Sequence, residues 1–307
     1  MRRKLIVGSR RSRLALLQTE SVITKIKEAN SDLDVSIIKI VTTGDRNRRR
    51  LDIMDTAIFV KELEEALLDG RIDIAVHSLK DVSTELPPGL CLLAVTERLD
   101  PRDALVARAK LGELNSGAKI GTGSLRRTVQ LMSYRPDLQA RPIRGNVDTR
   151  LGKVSSGEFD GVIVAAAAML RLGWQERITE YLPLEHFLPS VGQGALVVEA
   201  RADDKEISEL VSPLNNFTGW QAVTAERAFL RVIGGGCRAP VAALSTVNGN
   251  ELRLEGMVAG ISGRKVLRAS QEGSALAAEE IGARLAQKMR GMGAGEIIAE
   301  ARKSEKG

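Results

Sequence analysis

The stretch Ala118–Met132, AKIGTGSLRRTVQLM, repeats the plan of Lys4–Gln18, KLIVGSRRSRLALLQ. Each begins with a short apolar run, turns at glycine and serine, sets down two arginines, and continues with apolar residues at helical spacing, as a strand feeding a helix does. Two more pairs follow in the same order. IIKIVTTGD from Ile37 is echoed by LQARPIRGN from Leu138, and LLDGRIDIAV from Leu67 by VSSGEFDGVIV from Val154. Three ordered echoes predict two α/β domains of like construction. The spacing breaks in one place: Gly44 to Asp73 spans 29 residues where Gly145 to Asp160 spans 15, which puts an insertion of 14 residues at about Arg46–Phe59. At a strand end, and with Arg46, Arg48, Arg49 and Arg50 in it, this insertion reads as a lid.

Between the echoes the alternation continues, with strands at KLIVG, VSIIKIV, IDIAV and GLCLLAV and helices through Leu14–Ile26 and FVKELEEALLDG. The last third changes character. The helical QAVTAERAFLRVI (221–233) is followed by VAALSTV, ELRLEGMVAG and KVLRAS, with turns at Asn248-Gly249 and Ser262-Gly263, and then by the helical SALAAEEIGARLAQKM. This predicts a small α+β domain with a three-stranded antiparallel sheet. The resulting division is 1–96 with 193–216 as a discontinuous first α/β domain, 97–192 as the second, and 217–307 as the third.

Composition narrows the function. With 307 residues, 3% aromatic and a net charge of +6, the chain has ample material for aliphatic cores and little for base-stacking platforms. Its arginines fall at the ends of apolar runs, which suits an anionic ligand in a cleft better than a polyanion along a face. The apolar run in MRRKLIVGSR is too short for a signal core or a membrane span, so a cytoplasmic protein is expected. Two histidines and no paired Cys/His spacing predict no dedicated metal site.

Ligands of open α/β sheets sit beyond the carboxyl ends of the strands. There the sequence places Arg10, Arg11 and Ser12, then Ser124, Arg126 and Arg127, then Arg144 and Arg150. No Gly-Lys-Ser/Thr phosphate loop or full dinucleotide fingerprint accompanies them. Arginines at several strand ends suit carboxylates or phosphates held by planar, bidentate contacts. HSLKD, His77 to Asp81, adds Ser78, Lys80 and Asp81 at another strand end. Ser78 and Asp81 have the spacing of a capping box, while a carboxylate beside a lysine in such a cleft can also serve acid–base chemistry. Of the two cysteines, Cys91 lies in a strand-core context and reads as inert. Cys237 follows Gly234, Gly235 and Gly236, which fits either a helix stop or a thiol with room around it.

HSLKD, GTGSLRR, RGNVDTRL, PSVGQGAL and GGGCRAP, in this order, resemble the porphobilinogen deaminases, also called hydroxymethylbilane synthases, from about Leu5 to the final helix. The resemblance implies two type II periplasmic-binding-protein-like α/β domains and a third domain whose cysteine carries a dipyrromethane cofactor in thioether linkage. That cysteine corresponds to Cys237. It implies that Asp81 contacts the pyrrole nitrogens, assists loss of ammonia from porphobilinogen and stabilises the resulting azafulvene cation. Lys80, Asp81, Thr122, Ser124, Arg126, Arg127, Arg144 and Gly145 would hold the cofactor, and Arg10, Ser12, Gln18, Arg144, Arg150, Arg171, Gln193 and Phe59 the substrate or neighbouring ring. Four additions and a hydrolysis would release linear hydroxymethylbilane for tetrapyrrole synthesis, from a monomer with no metal, nucleic-acid or membrane partner. Relatives usually carry Gly-Gly-Lys-Gly before the position of Phe59, where this chain has Met54, Asp55, Thr56 and Ala57. The competing expectations are a two-lobed solute-binding protein for a small carboxylate ligand, which needs neither Asp81 nor Cys237, and a nucleic-acid-binding protein, suggested by the positive charge.

Overall fold

The computed structural model describes residues 4–41, 60–234 and 240–303. In chain order the elements of the first half are β1 (Lys4–Arg10), α1 (Arg13–Ala29), β2 (Asp34–Ile40), α2 (Lys61–Leu68), β3 (Ile74–Ser78), β4 (Leu90–Val95), β5 (Asp103–Ala107), β6 (Lys119–Gly121), α3 (Leu125–Tyr134), β7 (Gln139–Arg141) and α4 (Val147–Ser155). There follow β8 (Gly161–Ala165), α5 (Ala166–Arg171), β9 (Glu180–Tyr181), β10 (Leu196–Arg201), α6 (Lys205–Val211), α7 (Phe217–Ile233), β11 (Val241–Asn248), β12 (Glu251–Ala259), β13 (Val266–Ser274), α8 (Ala278–Gly291) and α9 (Ala294–Lys303).

Two five-stranded sheets share one plan, with orders β2-β1-β3-β10-β4 and β7-β6-β8-β5-β9. In each, the first three positions are parallel and the fourth strand runs antiparallel to both neighbours. The echoed segments fall on matching strands: β1 with β6, β2 with β7, β3 with β8. The fold is therefore two type II periplasmic-binding-like α/β lobes with a small three-stranded antiparallel sheet, β11-β12-β13, at the C-terminal end.

The chain divides into two units, 1–99 with 195–220 and 100–194 with 221–307. In the first, α1 turns Val22 and Ile26 onto Leu5, Val7 and Ile74, and α6 adds Ile207 and Val211 on the same side. Leu63, Ala66 and Leu67 of α2 cover Ile72 and Ala75 on the opposite face. Covering both faces suits near-continuous apolar strands, and each buried Val, Leu or Ile contributes roughly 1.5–3 kcal/mol.

The second unit joins the second lobe to the C-terminal sheet through an apolar seam. Val129 of α3 and Leu188 pack with Ala242, Leu244, Met257 and Ala259. On its other face that sheet carries Phe229 of α7, Ile281 and Leu285 of α8, and Ile298 of α9. The β11–β12 hairpin differs from expectation by one residue: Asn248 pairs with Glu251, so the loop is Gly249-Asn250. Only Gly249 has a positive φ there, 58°, as a type II′ turn demands of its first central residue. At the end of α7, Gly234 adopts φ 82° and its N–H returns to Leu230 O, so the helix stop is real.

Candidate active site

In the first unit, three polar features meet the carboxyl ends of the parallel strands. β1 ends at Arg10, and Ser12 caps α1 by accepting the Ala15 N–H at 3.2 Å. Gln18, on the second turn of α1, is buried and donates from Nε2 to Ser78 Oγ at 2.9 Å. β3 then runs into a 3-10 turn, Leu79–Asp81. Leu79 is buried and its N–H bonds Ala195 O, which pins the turn to the sheet and leaves Lys80 and Asp81 half-buried at its edge. The capping-box reading of Ser78 does not hold, because its hydroxyl makes no cap bond and takes the Gln18 amide instead.

Beneath this turn lies a polar group that sequence reasoning did not single out. His77 Nε2 and Glu199 Oε2 are 2.9 Å apart, both buried, without hydrogen-bond angles. Burial, and then the charge of Glu199, push the pKa of Glu64 on α2 above the usual carboxylate range.

The second unit gathers cations. Arg126 and Arg127 open α3, yet they are only 4% and 6% exposed. Both pair with Asp103, the first residue of β5, at 2.7 Å. Burial alone would raise the Asp103 pKa; the two guanidiniums overcome it and hold the carboxyl well below its usual range. Burial, with the repulsion of Arg127, outweighs Asp103 and lowers the pKa of Arg126. Such a pair adds little net stability, but removing one partner is costly. Gln193, fully buried, donates to Asp103 and to the carbonyls of Pro101 and Arg102. Thr122 accepts the Ser124 N–H, and Ser124 makes no side-chain cap bond.

Arg150 and Arg171 differ from that pair, because neither has a carboxylate partner among the described residues. Arg150 Nε donates to Gly145 O at 2.9 Å, and Arg171 Nη2 to Gly194 O at 2.7 Å. Burial pushes both down to about 10, with Arg127 adding to the effect at Arg150. Gly145, at φ 108°, starts the turn that Asn146 closes as the cap of α4, and Arg144 beside it is exposed. Cys237, Phe59 and the insertion at 46–59 lie outside the described residues.

The family model described as "Porphobilinogen deaminase, dipyromethane cofactor binding domain" matches residues 5–209, and "Porphobilinogen deaminase, C-terminal domain" matches residues 220–291. The chain belongs to the porphobilinogen deaminase family. The porphobilinogen deaminase of Syntrophomonas wolfei is 45% identical over 98% of this chain and all of its own, and that of Pelotomaculum thermopropionicum 46% identical over 100% and 99%. The same family name belongs to a Roseiflexus castenholzii relative, 46% identical over 97% of this chain and 100% of that one. Among solved structures, the methionine-binding protein MetQ aligns with 71% of this chain and 90% of its own at 12% identity and a TM-score of 0.44, too remote to argue for solute binding.

The donor set fits the group that the family's cofactor-binding domain takes. Arg126 and Arg127 share one internal carboxylate, Asp103, and Arg150 feels the charge of Arg127, so three cations meet one anion and leave two positive charges, while each pyrrole ring brings two carboxylates. Sequence reasoning had no signal for Asp103 beyond a carboxylate opening an apolar run, and it missed Glu226. That buried side chain accepts the N–H groups of Gly192 and Ser245.

Proposed function

We propose that this chain is a hydroxymethylbilane synthase, a transferase that deaminates porphobilinogen, joins four molecules head to tail on a covalent dipyrromethane, and releases the linear tetrapyrrole by hydrolysis. The observation that carries the reading is the match of both porphobilinogen deaminase domains across nearly the whole chain. When bound, the dipyrromethane supplies the nucleophilic pyrrole carbon to which the first monomer is joined. Cys237 is its attachment point, and Lys80, Asp81, Thr122, Ser124, Arg126, Arg127, Arg144 and Gly145 hold it.

The Asp81 carboxyl, when protonated, delivers the proton with which the amine leaves as ammonia. As a carboxylate it then stabilises the cation left on the substrate. Arg10, Ser12, Gln18, Arg144, Arg150, Arg171 and Gln193 orient the substrate's acetate and propionate, for which guanidinium forks are suited, and Phe59 covers a pyrrole ring. The proposal includes three domains (1–96 with 193–216, 97–192, and 217–307) and a cytoplasmic monomer without nucleic-acid or membrane partners. No helix among the described residues is long and apolar enough to cross a membrane.

Purified protein given porphobilinogen should release ammonia and hydroxymethylbilane in a ratio of about four to one, as polymerisation of four monomers requires. Absence of the linear tetrapyrrole would remove the reading. A pH effect follows from the two unpaired arginines. Their folded pKa values lie below the ordinary 12.5, so the charged form costs stability at every pH below about 10, and that cost fades as pH rises from there. Binding behaves oppositely, because a neutral guanidine no longer attracts a carboxylate. KM for porphobilinogen should therefore rise as pH climbs through about 10. A KM that stays flat across that range would show that neither arginine bears on substrate carboxylates.

A further inference from the structure

Among the described residues, the Asp103 carboxylate accepts five hydrogen bonds from three side chains. Its Oδ1 accepts from Arg126 Nη2 at 3.2 Å, Arg127 Nε at 3.0 Å, Arg127 Nη2 at 2.7 Å and Gln193 Nε2 at 2.9 Å, and its Oδ2 accepts from Arg126 Nη1 at 2.7 Å. The remaining donors of the two arginines are also largely placed. Arg126 gives Nη1 to Leu188 O and Nε to Ser190 Oγ; Arg127 gives Nη1 to Ile163 O and Nη2 to Gln193 Oε1. A guanidinium has five N–H groups. Each arginine therefore keeps one without a partner among the described residues, on Nη2 of Arg126 and on Nη1 of Arg127.

Two adjacent buried guanidiniums repel one another and would splay apart without a counter-charge. Asp103 prevents this, and it does so with its carboxylate in one orientation, held from three sides by α3, by Gln193 and by its own place at the start of β5. We infer that Asp103 is a positioning residue for cofactor capture, fixing Arg126 and Arg127 so that each presents one N–H to a carboxylate of the dipyrromethane. The inference rests on the proposed function, in which those two arginines hold the cofactor. It assigns to Asp103 a part in loading, distinct from any share it has in stability. Arg150, close enough to feel the charge of Arg127, supplies the third cation of the same cluster.

The test is intact mass under denaturing conditions, measured on the folded fraction of freshly made wild type, Asp103→Asn, Asp103→Glu and Gln193→Leu, with Tm measured in parallel. Asparagine removes the charge and turns an N–H toward a guanidinium. Loss of a charge-assisted bond of this kind predicts an adduct-bearing fraction lower by about tenfold. Glutamate keeps the charge but overfills the site, so Tm should fall while most of the loading returns. Gln193→Leu withdraws one donor from Oδ1 and leaves both arginine pairs, so loading should drop by about threefold even if the asparagine variant is insoluble. Loading equal to wild type in the asparagine and leucine variants, or equal impairment of the asparagine and glutamate variants, would overturn the inference. A wild type without adduct would instead overturn the proposed function.

Discussion

Cys237→Ser should yield a folded protein whose mass is that of the bare chain, and Cys91→Ser should keep the adduct; this is the largest effect expected of any single substitution. The two thiols differ in chemistry. Cys91 sits in β4, half-buried, and burial followed by the charge of Glu199 pushes its thiol up, away from the reactive thiolate. Cys237 follows three glycines in the sequence, a residue type that adds no side-chain bulk beside an attached group. Serine is a far weaker nucleophile than a thiolate, so no slow residual attachment is expected. Because the core of the C-terminal sheet rests on Phe229, Leu254, Ile281 and Leu285, the substitution should leave the fold intact by circular dichroism. Mass spectrometry of tryptic peptides decides the matter: an adduct on the peptide containing Cys91 would reverse the assignment.

Asp81→Ala should lose turnover by about 10²–10⁴, the usual worth of a positioned acid or base, and keep its Tm within a few degrees. The two halves of this prediction have separate grounds. Asp81 is the last residue of a 3-10 turn that is anchored by Leu79, with the Leu79 N–H on Ala195 O, so the turn does not depend on the carboxylate. Half-buried and at an edge, the side chain supports no core cluster, and such substitutions usually change stability by about 0.5 kcal/mol or less. Asp81→Asn separates charge from shape: it should turn over as poorly as alanine and still carry the adduct if loading needs only the hydrogen bond. Near-normal kcat in either variant would take Asp81 out of the mechanism, and a Tm lowered by more than ten degrees would make it a structural residue instead.

Much of this molecule was legible along the chain. Ala118–Met132 and Lys4–Gln18 become β6–α3 and β1–α1, and the order of the echoes becomes the order of strands in two matching sheets. Local information sufficed there, because a strand buried on both faces must be apolar and a strand-to-helix turn needs small residues at a definite place. The short motifs likewise announced themselves through unusual residue types at strand ends. Finer local geometry was less legible. Ser78 and Asp81 satisfy the spacing of a cap, but Gln18 from another element reaches the hydroxyl first. The hairpin loop moved one residue because a glycine is needed at the first central position of its turn.

What the sequence determined by itself is the pair of repeated α/β lobes, the small antiparallel sheet, and the arginines, aspartate and cysteine of the family's motifs. Only the tertiary structure decided how those arginines are held. β5 runs antiparallel to β8, and so its first residue, Asp103, lies opposite Ala165, at the same end of the sheet as the close of β6 and the start of α3. In the sequence Asp103 is one acidic residue ahead of an apolar run, far from Arg126, Arg127 and Gln193. Likewise Glu199 reaches His77 only through the pairing of β10 with β3. Burial gives these contacts their weight, since a carboxylate among guanidiniums in a dry interior is worth far more than the same groups in water. Burial of that kind arises from strand pairings between distant segments, which no local pattern of residues records.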